Sequence, residues 1–555
     1  MLFNTLVFAK FILVVFLGSW ALSRWPRARF WFLAIASYVF YSGLDVFSDA
    51  FVTSLRTVGP WQALTENAPY LRFVPIIFIG STVDYWLSIW IDGTQDPKKR
   101  KALLLITIVM NAGLLLVFKY WDFLAEQVIA VGGPDKRLHL PLPIGISFFT
   151  FMSLSFVVDV YRREIPASRN YAHYVTYIAF FPHLVAGPII RGKDLLPQFL
   201  RPVTLTAAAA GEGIFLVCVG LFKKVVISDY LAINLVDRVV AEPTSYSSLE
   251  VLTAMFGYAI QIYCDFSGYS DVAIGIALLL GYRLKINFDA PFKSSNLVEF
   301  WRRWHISLSS WLRDYIYIPI GGSRDPKERT DSPARRWLAG SMIAAGATLG
   351  LSQAFVYITR SGAGHTQSGA LFLLSTALML AGLMTANAGR KYRNVWITMV
   401  VCGVWHGAAW SYVLFGVIQG LAVGISHFYF DSRGKRASDA GDAGVSIANL
   451  PAILVTFVFT TLTFVLIRAP LDKAVLMYKQ LLVFSTFTPN LSAKIVSVIA
   501  LGLVLQWLPR DFFNRTRDAF TRAPAIVQGF ALFVLAVVLR EAASSEAVPF
   551  VYGQF

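Results

Sequence analysis

Charge is what this sequence has least of. Asp, Glu, Lys and Arg make up 15% of its 555 residues, against roughly 25% in an ordinary soluble domain. With 56% hydrophobic residues and a mean hydropathy of +0.58, such a chain is excluded from the water-soluble globular class. It reads as a polytopic membrane protein. Cysteine is almost missing: Cys218, Cys264 and Cys402 lie inside apolar runs and follow no metal or disulfide spacing, which leaves them as small buried hydrophobes and no metal site expected. No GxSxG elbow occurs, so no serine triad is expected. Neither an internal repeat nor paired intramembrane charges are visible, which counts against a polysaccharide or lipid transporter or flippase. The first apolar run has no basic leader and no small-residue cleavage site, and reads as a retained span.

What is present is a series of apolar runs from 5–22 to 525–541. Counted by length, they predict an all-α protein with roughly 11 to 14 transmembrane helices. Runs broken by Gly and Pro are expected to be re-entrant or interfacial. Because these runs are spread from end to end, residues 1–555 read as a single membrane-embedded domain. Lys and Arg outnumber Asp and Glu by 49 to 33. They sit in short loops, the pattern of cytoplasmic loops against anionic lipid and not of a nucleic-acid groove. The loops holding Arg24, Arg27 and Arg29, then Lys98 to Lys101, then Arg162 and Arg163 share one parity. The positive-inside rule then places the N-terminus outside.

Three stretches carry candidate chemistry. The longest apolar one, 394–424, holds a single imidazole, His406, flanked by Trp405 and Trp410. An ionisable group at membrane depth marks a functional site unless one backbone carbonyl simply satisfies it. Gly403 and Gly407 allow another backbone or a substrate to come close, while Gly416, Gly420 and Gly424 read as helix packing. The second stretch, 296–324, opens on the helix-start pair Asn296 and Glu299. On one continuous helix, His305 would share a face with Trp301, Arg302, Leu308, Ser309 and Leu312. Its three Trp and four Arg, Trp304 among them, suit an interfacial helix, with His305 either an aromatic-belt member or a second polar group in the cavity of His406. In the third, 262–290, Asp271 reads as the cap of a helix beginning at Val272 and Asp265 as a turn residue. His183, in the broken run 180–199, reads as a structural hydrogen-bonding residue.

Taken together, LPIGISFFTF (142–151), FFPHLVAGPIIR (180–191), FKKVVISD (222–229), DFSGYSDVAIGIA (265–277), EFWRRWHISLSSWLRDYIYIPIGGSR (299–324), CGVWHGAAW (402–410) and the terminal FVYGQF resemble the membrane-bound O-acyltransferase family. The likeness is to its bacterial branch that acetylates alginate and other polysaccharides. It covers nearly the whole chain. Three departures stand out: Met152 and His183 where Gln is expected, and an insertion, 325–393, expected to add two crossings at 337–358 and 368–386. The resemblance implies helices around a central tunnel, with His406 and His305 catalytic and Trp301, Arg302, Trp304, Ser309, Trp405 and Trp410 lining the substrate path. It also implies no bound cofactor, acetyl-CoA or another acyl-CoA as co-substrate, and an extracytoplasmic polysaccharide as acceptor. Transfer would be direct or through an SGNH-type partner, in the bacterial inner membrane. An inactive scaffold that recruits an outer-face transferase is the remaining alternative.

Overall fold

The computed structural model describes residues 3–46, 48–130, 132–185, 187–322, 340–348, 375–376, 378–382, 389–433 and 447–542. Among them every regular element is a helix. Among the described residues six helices are long and apolar enough to cross a membrane: Leu71–Gly93, Pro97–Ala130, Ser248–Leu279, Trp410–Asp431, Ile447–Arg468 and Ala525–Ala542. Ala493–Trp507 and Arg510–Arg522, bent 93° apart, would make a seventh. Other apolar runs form shorter helices, such as Leu6–Ala21, Ile146–Tyr161 and Tyr171–Ala179. Their lengths reflect chain breaks that a hydropathy count does not register. The proposed crossings 337–358 and 368–386 and the terminal FVYGQF lie largely outside the described residues.

The chain divides into two compact units that alternate in sequence. The first comprises residues 1–229, 263–286 and 509–555. Its centre is aromatic: Phe156, Tyr174, Tyr177, Phe180 and Phe181 are fully buried. Polar side chains tie the helices together, as expected where burial alone gives little drive for helices to associate. Asp84 accepts from Asn111 Nδ2 at 2.9 Å and from Ser153 Oγ at 2.5 Å, and Ser153 meets the Tyr174 hydroxyl at 3.0 Å. His183 follows the same logic: it is buried, with Nε2 2.9 Å from the Tyr177 carbonyl.

Two arginines read as loop charges are in fact buried. Arg29 donates to the Ser19 carbonyl, the Tyr282 hydroxyl at 2.7 Å and the Leu280 carbonyl at 2.6 Å. Arg100 donates to the carbonyls of Ile91 and Tyr161, near the ends of two helices. A helix end leaves carbonyls without intrahelical partners, and a buried guanidinium supplies several donors at once.

The expected break around Gly268 does not occur. Ser248–Leu279 is one 32-residue helix, so Asp271 caps nothing and Asp265 lies in no turn. Both aspartates instead pair with consecutive lysines of FKKVVISD. Lys223 reaches Asp271 at 2.6 Å, and Lys224 lies 2.7 Å from both Asp229 and Asp265. Buried charge pairs are therefore present, contrary to the sequence reading. Gly213 and Gly220 permit the close approach, since a Cβ on either would meet the Gly275 or Gly268 carbonyl oxygen within 2.9 Å.

The second unit comprises 230–262 and 287–508. It is built on a hairpin of Gly389–His406 and Trp410–Asp431, with Leu450–Arg468 packed against it. The described part of the insertion joins the same core: Ile343 packs with Tyr392 and Leu421, beside Met379 and Leu380.

Lys224→Met should lower stability by about 3–5 kcal/mol, because it leaves two carboxylates buried without their cation. Adding Asp229→Asn and Asp265→Asn should recover most of the loss. Thermal unfolding in detergent reads both effects, and a Lys224→Met protein as stable as the parent would remove the network from the account.

Candidate active site

The first imidazole sits where a helix stops. Asn296 caps Leu297–Arg303 by accepting from the Glu299 amide at 2.9 Å, and the Glu299 carboxylate accepts from the Ser295 amide at 2.8 Å. This start matches the sequence signature. The continuation does not. After Arg303 the chain turns: Trp304 is extended and His305 is left-handed, with φ +43° and ψ +56°, before Ile306–Leu312 begins. His305 therefore shares no continuous helix face with Trp301 or Ser309. The turn is held by packing of Trp304, which is 2% exposed. Its ring stacks on Phe300 at 5.6 Å and meets Phe288 at 5.1 Å and Phe464 at 5.0 Å. It is also held by Asn287, whose carbonyl accepts from the Ile306 amide at 2.8 Å.

The second imidazole also sits at a helix end. The run 394–424 is not one span: its first helix closes at His406, and a second begins at Trp410 and returns alongside it. Glycine makes the hairpin possible. A Cβ on Gly403 would lie 2.7 Å from the Gly416 Cα, and one on Gly420 would meet Trp396 and Met399 at about 3 Å. Gly403 and Gly407 thus admit backbone and the Tyr412 ring.

Trp405 connects the two imidazoles. Its ring centroid is 5.9 Å from His305 and 5.0 Å from His406. Both histidines are buried, at 0% and 2% exposure. They lie 101 residues apart in sequence. His305 lies outside every long apolar helix, and burial, followed by the charge His406 can carry, holds it well below the ordinary imidazole range. It stays neutral at pH 7, the state in which an imidazole can accept a proton. Around His406 stand Phe415 at 6.0 Å and the Cys402 thiol, 3.9 Å from Nε2.

The other candidates divide. Trp301 is buried and donates to Gln419 Oε1 at 3.2 Å, while Gln419 donates to Thr463 Oγ1 at 2.8 Å. Ser309 is half-buried and donates to the Trp304 carbonyl at 3.3 Å. Arg302 is exposed and Trp410 is 56% exposed, in contrast to the two buried imidazoles. Sequence reading missed Asn287, Ser307 and Gln419. Gln419 had the same signal as His406, a lone polar group inside an apolar run. Asn287 had none, because its role depends on a turn eighteen residues away.

A model described as MBOAT, membrane-bound O-acyltransferase family, matches residues 71–330. A probable alginate O-acetylase of Pseudomonas aeruginosa is 33% identical over 541 residues, covering 94% of this chain and 84% of the relative. The chain belongs to the membrane-bound O-acyltransferase family. A probable alginate O-acetylase of Pseudomonas putida is 30% identical over the full length of both chains. A peptidoglycan O-acetyltransferase of Helicobacter pylori is 28% identical, covering 84% of this chain and 77% of its own. This member of the family is an O-acyltransferase and a multi-pass membrane protein. Membership, and not a lack of buried charge pairs, sets the transporter reading aside.

Gly403→Ala should prevent the hairpin from closing and lower folded yield and acyl transfer together, since the added methyl meets backbone and not a movable side chain. Size-exclusion profiles of the detergent-extracted protein check this. A monodisperse Gly403→Ala protein with parental activity would show that the close approach is dispensable.

Proposed function

We propose that this O-acyltransferase moves an acyl group, acetyl in the first instance, from a cytoplasmic acyl-CoA to a hydroxyl of an extracytoplasmic polysaccharide. The observation that carries the reading is the pair of buried imidazoles sharing the Trp405 ring. Relatives named for alginate and for peptidoglycan support a glycan acceptor. In the proposed step His406 takes the proton from the attacking hydroxyl, the oxygen bonds to the thioester carbonyl carbon, and the carbon–sulfur bond breaks. The imidazolium then returns the proton to the departing thiolate, so charge and atoms balance. His305 is the second catalytic imidazole. Trp301 and Trp405, with Trp304 behind them, would wall the path of the thioester and the hydroxyl through the tunnel. Delivery would be direct or through an extracytoplasmic SGNH-type partner, in the bacterial inner membrane with the N-terminus outside.

Purified protein given radiolabelled acetyl-CoA and a glycan acceptor should release CoA thiol. His406→Gln keeps a hydrogen-bonding side chain but cannot take up a proton near neutral pH. It should slow transfer by about 100- to 10,000-fold at unchanged protein level. Near-parental transfer by His406→Gln would return that residue to a structural role. The Cys402 thiol beside His406 offers a rival route through an acyl-enzyme. Direct transfer predicts that Cys402→Ala retains most activity and that no label stays on the protein. For orientation, a cysteine introduced at Pro97 should react with an impermeant reagent only after the cells are opened. Labelling in intact cells would invert the assignment.

A further inference from the structure

We propose that Asn287 is a positioning residue that holds His305 in its Nδ1-protonated tautomer, so that the buried Nε2 is the basic nitrogen this imidazole brings to the site. The proposal rests on the reading of His305 as a catalytic residue. It follows from which atoms can only donate and which can only accept.

Asn287 is 1% exposed, and its side-chain oxygen is the focus of three short contacts. The Ser307 backbone amide lies 3.1 Å from Oδ1, the Ser307 hydroxyl 2.8 Å, and His305 Nδ1 3.2 Å. A backbone N–H is an obligate donor. The amide atom facing it must therefore be the oxygen, because a flipped side chain would set donor against donor. That same oxygen faces His305 Nδ1. It carries no proton to give, and the Ser307 hydroxyl, 3.4 Å from Nδ1, donates its one proton to Oδ1 at the shorter 2.8 Å, so Nδ1 carries its own. A neutral imidazole holds one N–H, which leaves Nε2 with the lone pair. This is the reverse of the tautomer that histidine prefers in water, so the protein has to impose it.

The same residue also fixes the ring. His305 is in the left-handed region, which costs a non-glycine residue on the order of 1–3 kcal/mol and persists where its surroundings over-determine it. The Asn287 carbonyl holds the Ile306 amide and its side-chain oxygen holds the Ser307 amide, on the two residues after the strained position. Phe288 lies parallel to the imidazole at 6.4 Å and Trp405 lies against it at 5.9 Å. His406, on another helix, is a titratable group that acts on His305. An imidazole fixed in this way can take a proton or accept a hydrogen bond through Nε2, but cannot donate from it. In the transfer it therefore acts as an acceptor.

The test is nitrogen NMR on the full-length protein in nanodiscs with 15N-labelled histidine. There are seven histidines, and the His305 signals are those lost in His305→Gln. In the parent, His305 should show a protonated Nδ1 and an unprotonated Nε2. Asn287→Ala should move His305 toward the Nε2-protonated form and lower kcat by about 10- to 100-fold, with KM for acetyl-CoA little changed. Asn287→Asp keeps an accepting oxygen and should keep both the Nδ1 proton and much of the activity. A residue that only braced the turn would leave the tautomer unmoved in Asn287→Ala. If Asn287→Ala does not fold, the parent spectrum still decides: an Nε2-protonated His305 overturns the proposal. Normal transfer by His305→Gln, with an Nδ1-protonated parent, would instead defeat the catalytic reading and leave the tautomer assignment standing.

Discussion

A helix that stops in apolar surroundings leaves carbonyls and amides without water, and each must find a partner inside the protein. That constraint runs through both units of this molecule. Where helices end, the chain brings a side chain able to make several hydrogen bonds at once. Arg100 reaches the carbonyls of Ile91 and Tyr161. Asn287 does the same for the left-handed turn after Trp304. Broken helices are tolerated because the loose ends have been assigned partners.

The same breaks place the chemistry. His305 and His406 both lie at helix termini, where a side chain can leave the crowded lateral face of a helix. Between them stands Trp405, adjacent to His406 in the chain and packed on His305 in space. Glycine makes this arrangement compact. The Gly403–Gly416 approach lets the two arms of the hairpin touch at backbone distance, which brings Phe415 onto His406. Close packing of this kind supports a precise site, because neighbouring rings leave little freedom to the imidazoles.

Buried charge is handled by pairing. Lys224 bridges Asp229 and Asp265, while Lys223 matches Asp271 on the same pair of segments. An isolated ion in such a place would cost several kcal/mol, so the lysines and aspartates are obligate companions. This network belongs to the first unit and the imidazoles to the second.

By itself the sequence determined the membrane class, the helical fold class, the family and the two histidines worth attention. These follow from composition and from short motifs whose meaning is local. The helix start at Asn296 was legible for the same reason: a cap is an interaction among neighbours three residues apart. The turn at His305, the hairpin after His406 and the pairing of Asp265 and Asp271 with Lys224 and Lys223 were not. A helical periodicity continues on paper through Trp304 and through Gly407, since neither position carries a proline to forbid it. Only tertiary packing decides that Asn287 and the aromatic cluster reward a break at the first, and that Gly416 rewards one near the second. Asp271 looked like a cap and Asp265 like a turn residue because their lysines lie between forty and fifty residues upstream in the chain, and a partner that distant is visible only once the helices have been laid side by side.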